Sequence, residues 1–164
     1  MTEEELLHEK AKQRAFRLLA MRPRSEKELR SKLKERGFDE SVVETVAARL
    51  RELQYLNDES FARQWAHNLA LNRLFGNKRI EESLREKGVS RSLTEQVITE
   101  VRQEISEREA IRALIGKKKE KTSIIMDEKE KRRFARRLMG KGFPLDLIFD
   151  MLITSKEEYI DEGE

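Results

Sequence analysis

Cysteine is absent from the 164 residues, which removes disulfides, thiol catalysis and cysteine-ligated zinc and points to a reducing compartment, the cytoplasm. Proline occurs twice and glycine seven times, while charged residues reach 41%. So few breakers among so much charge argues for helices with broad solvated faces and against a thick α/β core. Long apolar runs are also missing, and none approaches the roughly 18–20 residues of a membrane span. The opening Met1-Thr2-Glu3-Glu4-Glu5 is acidic, so no leader and no membrane contact is expected. Two histidines, His8 and His67, stand alone on charged stretches. With no H-E-x-x-H and no phosphate-binding glycine loop, no catalytic residue, metal site or cofactor is expected.

What is present is a pattern used three times. Gly37, Gly88 and Gly142 are each followed by an apolar residue: Phe38, Val89 or Phe143. Four positions earlier stand Leu33, Leu84 and Leu138, and eight earlier Leu29, Ile80 and Phe134. Five positions later come Val42, Leu93 and Leu147, and nine later Val46, Val97 and Met151. A helix that ends on a left-handed glycine brings the third residue from its end against the residue after the glycine, so the pattern predicts three such endings. Asp39, Ser90 and Pro144 then open the next helices, the first two by capping free amides and the proline by fitting the first turn. Ser25 and Glu28 form a capping box.

Apolar periodicity predicts helices near residues 3–21, 26–36, 40–53, 58–75, 78–87, 91–104, 106–116, 128–141 and 145–155. Gly76-Asn77 is expected to break the fourth. The fold class is therefore all-α, three tandem three-helix repeats, expected to form an elongated, curved rod because one repeat holds too few apolar residues to stand alone. The domain reading is repeat 1 over 1–56, repeat 2 over 57–104, repeat 3 over 105–156 with a Lys-rich insertion at 116–126, and an acidic tail at 157–164. The insertion is expected to be a loop ending in the apolar Ile124-Ile125-Met126. Trp65, one turn after Phe61, is expected in the core. Tyr55, Asn57 and Asp58 form a joint expected to flex, as does the segment near Arg102–Ser106.

Net charge is only +3, so its placement matters more than its sum. Residues 105–141 carry 13 basic and 6 acidic side chains, whereas residues 142–164 carry 1 and 7. Lys129, Arg132, Arg133, Arg136, Arg137 and Lys141 lie on one helix, with Phe134 and Leu138 on its other face. Lys117-Lys118-Lys119 and Lys121 precede them. A smaller cluster, Arg73, Lys78 and Arg79, flanks Gly76, and a weaker one comprises Arg14, Arg17, Arg22 and Arg24. Such clusters suit a polyanion, either nucleic-acid phosphates or an acidic protein surface.

The residues Leu18-Leu19, Arg22-Pro23-Arg24-Ser25-Glu26-Lys27-Glu28-Leu29, Lys32-Leu33 and Arg36-Gly37-Phe38 resemble the opening of the RecX family, bacterial regulators of the RecA recombinase. Tyr55-Leu56-Asn57-Asp58 with Ser60-Phe61-Ala62 is similar to that family's joint motif, with Gln54 and Asn57 in place of the usual Gly and first Asp. Gly76, Arg79-Ile80, Leu84 and Lys87-Gly88-Val89 resemble its second repeat. The resemblance is good over residues 12–104 and looser beyond. It implies a protein, not an enzyme, that binds RecA filaments on DNA, lies in the filament groove, lowers strand exchange and ATP hydrolysis, and binds single- or double-stranded DNA weakly; a monomer is expected. It transfers no site residue by itself. Two other readings stay open: a DNA-binding regulator of helix-turn-helix type using helices 40–53 and 91–104, and a helical scaffold for an unrelated protein.

Overall fold

A computed structural model describes residues 1–121 and 126–161, with side chains as far as residue 153. Nine α-helices run through these residues: α1 Glu3–Met21, α2 Glu26–Glu35, α3 Glu40–Glu52, α4 Asp58–His67, α5 Asn77–Glu86, α6 Arg91–Glu104, α7 Glu107–Lys121, α8 Glu128–Gly140 and α9 Leu145–Asp161. No strand occurs among the described residues. The fold is all-α, built as three tandem three-helix repeats.

The repeated helix ending has its physical cause in the three glycines. Gly37, Gly88 and Gly142 have φ of 90°, 79° and 94°. The amides of Phe38, Val89 and Phe143 reach back to the carbonyls of Leu33, Leu84 and Leu138 at 3.3, 3.0 and 3.3 Å, which satisfies acceptors the helix end would leave free. Ser25 caps α2 with Glu28 completing the box, and Ser90 Oγ accepts from the Leu93 amide at 3.3 Å. Asp39 sits at the start of α3 but makes no side-chain cap, contrary to expectation. Thr2 and Glu5 add a capping box at α1 that the apolar pattern did not reveal.

Three other expectations need correction. Helix α7 runs through Gly116 to Lys121, so Lys117–Lys121 is helical and not a loop. One glycine costs a helix about 1 kcal/mol against alanine, and the Lys and Glu residues that follow are good helix formers. Ile124 and Ile125 lie outside the described residues, and Met126 packs on the core formed by α7, α8 and α9. The fourth helix ends before Gly76: α4 passes into a π-helical turn, Asn68–Asn72, and Leu74 takes the left-handed conformation (φ 53°), with the Phe75 amide bonded to the Leu69 carbonyl at 2.9 Å. Helix α9 continues past residue 155 to Asp161; residues 162–164 of the predicted tail lie outside the described residues.

The chain divides into two compact units, residues 1–64 with 84–94, and residues 65–83 with 95–164. In the first, α3 packs on α1 and α2 around Leu18, Leu29, Leu33, Val43, Val46 and Leu50. Several of its cations are held by carboxylates. Arg22, Arg24 and Lys87 converge on Glu28, while Arg30 and Arg51 share Glu26 and Glu44. The 55–58 segment is fastened here too. Tyr55 meets Phe16 edge-on at 5.0 Å, Asn57 Oδ1 accepts from the Ser60 amide at 3.0 Å, and Asp58 accepts from the Glu26 amide at 2.9 Å. In the second unit, α9 packs on α7 and α8 around Ile111, Phe134, Leu138, Phe143, Ile148 and Met151. Trp65, half-buried, donates to Ser83 Oγ at 2.9 Å in the same unit.

Candidate polyanion-binding face

The second unit joins two basic clusters that lie far apart in the chain. The turn after Leu74 and the end of α8 are locked by main-chain hydrogen bonds: Gly76 N–H to Lys141 O at 2.8 Å and Lys78 N–H to Gly142 O at 3.3 Å. The lock needs glycine on both sides. A Cβ on Gly76 would overlap the main chain of Gly142 and Phe143, and one on Gly142 would overlap the main chain of Arg79. The turn is braced from behind. Arg102 donates to Phe75 O at 2.7 Å and to Asn77 Oδ1 at 2.6 Å, and the Asn77 amide donates to Glu107 at 3.2 Å. Burial pushes the Arg102 guanidinium below its ordinary pKa, and the Glu107 carboxylate opposes that shift. The side chain is thus spent on holding the turn.

That lock places three cations around one aromatic ring. Arg73, Lys141 and Arg79 lie 5.1, 5.3 and 5.8 Å from the centre of Phe75. A ring face attracts cations through its quadrupole, so Phe75 lowers the cost of gathering like charges. It does not remove that cost. Burial first, then Arg137, Arg73 and Lys117, push the Lys141 ammonium below its usual pKa. A bound anion would offset the repulsion from Arg137, Arg73 and Lys117. Lys141 also donates to the Arg73 carbonyl at 3.3 Å, which fixes its position.

From Lys141 the positive surface continues between α7 and α8. Lys117, Lys118, Lys121, Arg137 and Lys141 line a groove of about 230 Å³ over Leu114, Phe134 and Leu138. The extension of α7 beyond Gly116 therefore creates this groove. Arg132 and Arg136 lie on the opposite side of α8, beside α9, and Lys129 and Arg133 stand exposed on the same helix. The predicted stripe of α8 is thus divided between two faces. Among the described residues no carboxylate pairs with Arg73, Lys129, Arg132, Arg133, Arg136 or Arg137. Arg79 reaches Glu82 only at 3.8 Å, and Lys78 is exposed beside Arg79. The weaker first-repeat cluster is different, since Arg22 and Arg24 are engaged by Glu28.

Sequence reasoning missed Phe75. The signal was there in Arg73-x-Phe75-Gly76-x-x-Arg79: an aromatic at a chain break with arginines two before and four after. His8 bonds the Glu4 carbonyl at 2.8 Å and His67 bonds Glu104 at 3.1 Å. No group of three metal-ligating side chains occurs among the described residues. No helix among them is long and apolar enough to cross a membrane.

Family models match along almost the whole chain: the first RecX three-helix domain at residues 11–50, the second at 57–98 and the third at 106–152. The chain belongs to the RecX family. The regulatory protein RecX of Amycolatopsis mediterranei is 32% identical over 152 residues, covering 93% of this chain and 86% of that one. The regulatory protein RecX of Corynebacterium efficiens is 30% identical, covering 92% and 74%. The crystal structure of RecX from Lactobacillus salivarius superposes with a TM-score of 0.74 at 22% identity, covering 91% of this chain and 96% of that chain, and so shares the fold. A RecX regulatory role follows from membership of a family of regulatory proteins. The Phe75 lock joins the second RecX domain, through residues 73–79, to the third, through residues 137–142.

Proposed function

We propose that this chain acts in the cytoplasm as a monomeric, non-enzymatic regulator that binds RecA filaments on DNA and lowers RecA strand exchange and ATP hydrolysis. The observation that carries the reading is the cluster of Arg73, Arg79 and Lys141 on Phe75, continued by Arg137 and Lys117, with so little carboxylate to balance it. Like charges held together by the fold cost stability unless a polyanion completes them. A filament of recombinase on DNA offers such a partner, since phosphates and acidic protein surface lie along one helical groove. Three linked repeats can each add a modest contact and act together through effective concentration. DNA alone engages the same cations weakly, and its binding falls steeply with salt. Movement at residues 55–58 would require release of the Asp58 contact to the Glu26 amide.

The helix-turn-helix reading has less support. The apolar residues of α3 (Val42, Val43, Val46, Ala47 and Leu50) are buried in the core, and its outer face mixes Glu40, Glu44 and Glu52 with Arg49 and Arg51. Both arginines are paired with carboxylates, which leaves the face little free positive charge to offer a DNA groove.

The test is ATP hydrolysis by RecA on single-stranded DNA, followed over time with the purified chain added. Hydrolysis should decline as the chain is titrated in. Arg73→Glu with Arg137→Glu and Lys141→Glu should restore most of it while leaving the helical circular-dichroism signal unchanged. Hydrolysis that ignores a stoichiometric amount of the wild-type chain would reject the reading.

A further inference from the structure

The side of α8 that faces α9 has a different character from the basic groove beside α7. Met139, Leu145, Phe149 and Ile153 are 49%, 46%, 51% and 61% exposed, and these four large apolar side chains stand together. They line a groove of about 630 Å³ between α8 and α9, with Ala135 and Leu152 at its floor. The spacing explains why they share a face: Leu145, Phe149 and Ile153 follow one another every four residues along α9, while Ile148 and Met151 turn into the core. Helix α9 is thus apolar on two sides and has a packing partner on one. Arg132 and Arg136 stand on the α8 bank of the groove, without a carboxylate partner among the described residues. Among the described residues Glu128 is the one carboxylate on the groove wall, and it reaches Lys131, on the same wall, at 3.9 Å.

We propose that this groove receives an acidic amphipathic helix from a partner protein. Apolar side chains at positions i, i+3 or i+4, and i+7 of that helix fill the space between Met139, Phe149 and Ile153, as in other helix-in-groove interfaces. Its Asp and Glu residues lie along the flank beside Arg132 and Arg136, where the guanidinium fork takes a carboxylate in two parallel bonds. Charge decides among occupants. A second copy docked two-fold on this groove would set Arg132 and Arg136 of each chain beside the same arginines of the other. A nucleic acid would gain the two arginines and leave the apolar floor unpaired. An acidic amphipathic helix satisfies both features at once. The site is separate from the Phe75 cluster and does not depend on which protein supplies the helix.

Fluorescence anisotropy of a labelled synthetic peptide tests this in the absence of any recombinase, with the full chain as titrant. The peptide is built of Leu at helical spacing with Glu elsewhere. One control scrambles its order, and the other replaces Glu by Lys. The acidic helix should bind, and the scrambled and Lys peptides should bind at least tenfold more weakly. Phe149→Ser with Ile153→Ser should weaken the acidic peptide at least tenfold. Arg132→Glu with Arg136→Glu should invert the preference, so that the Lys peptide binds better, a gain that mere unfolding would not produce. Equal binding of all three peptides would overturn the proposal, as would a concentration-dependent dimer in sedimentation that Phe149→Ser abolishes. Neither result bears on inhibition of RecA, which is read in a separate assay.

Discussion

The two compact units spend their charge in opposite ways. In the first, cations and carboxylates close on each other: Glu28 alone meets Arg22, Arg24 and Lys87, and Glu44 meets Arg30 and Arg51. In the second, Arg73, Arg79 and Lys141 gather on Phe75, and Arg132, Arg133, Arg136 and Arg137 project without a carboxylate among the described residues. Both units are rich in Arg and Lys, so composition alone does not separate them. What separates them is whether the fold supplies the counter-charge or leaves that to a partner. The first unit closes more of its charge between helices, whereas the second, beside pairs such as Arg108–Asp150, presents a basic cluster.

The sharpest way to break the comparison uses equivalent glycines. Gly37 and Gly142 occupy the same place in their repeats and have nearly the same φ, 90° and 94°. A Cβ on Gly37 meets nothing within 4 Å, whereas one on Gly142 meets the main chain of Arg79. Gly37→Ala should cost about 1 kcal/mol, the left-handed penalty alone, and Gly142→Ala about 3 kcal/mol or more. Urea denaturation measures both; equal costs would mean that the Gly76–Gly142 lock is absent in solution.

Charge reversal gives the next largest contrast. Arg137→Glu with Lys141→Glu should weaken single-stranded DNA binding tenfold or more at low salt and make the salt dependence shallower by about 1.4 in log–log slope. Arg49→Glu in the first unit, where Arg49 sits 3.2 Å from Glu52, should change neither quantity measurably.

Acid titration probes the closed charge of the first unit. Burial raises the Glu28 pKa, but the hydrogen bond from Arg22 and the charges of Lys87 and Arg22 outweigh it and hold the group below the ordinary carboxylate range. Its folded pKa is depressed, so its stabilisation is complete above the unfolded value, about 4.3, and is lost as pH falls through the lower folded value. Glu28→Gln should therefore cost about 1–2 kcal/mol at neutral pH, and the gap to wild type should close in thermal melts taken below about pH 4. A gap that persists unchanged in acid would show that packing, not ionisation, sets the cost. The smallest expected effect is a gain. Gln54 holds φ of 62° at the end of α3, so Gln54→Gly should raise stability by up to about 1 kcal/mol.

Local chemistry made most of the fold legible. The three glycines announced their endings because a left-handed residue followed by an apolar one is settled within about six residues, and Ser25 with Glu28 announced α2 for the same reason. Expectations failed where tertiary context or a weak penalty decided. A single glycine at 116 could not stop α7 against the helix formers after it. Asp39 kept its position without making its bond. Leu74 ended the fourth helix ahead of Gly76 because the leucine side chain is buried in the core, a payoff no local rule registers. The basic residues of the candidate face were visible as charge runs. Their meeting at Phe75 was not, since Gly76 and Gly142 are 66 positions apart and nothing in the pattern says that their backbones touch. The division of the α8 arginines between two faces likewise depended on where α7 and α9 came to lie.

The pairing of the Gly76 and Lys141 main chains also sets how the gene can be cut. A deletion that stops after α6 would strip the 74–78 turn of its backbone partner and expose Leu74 and Phe75 to water. The last three helices are therefore not a detachable cassette. Shortened variants should be designed to end beyond α9, and any truncation before that point should be tested for misfolding before lost activity is credited to a missing contact.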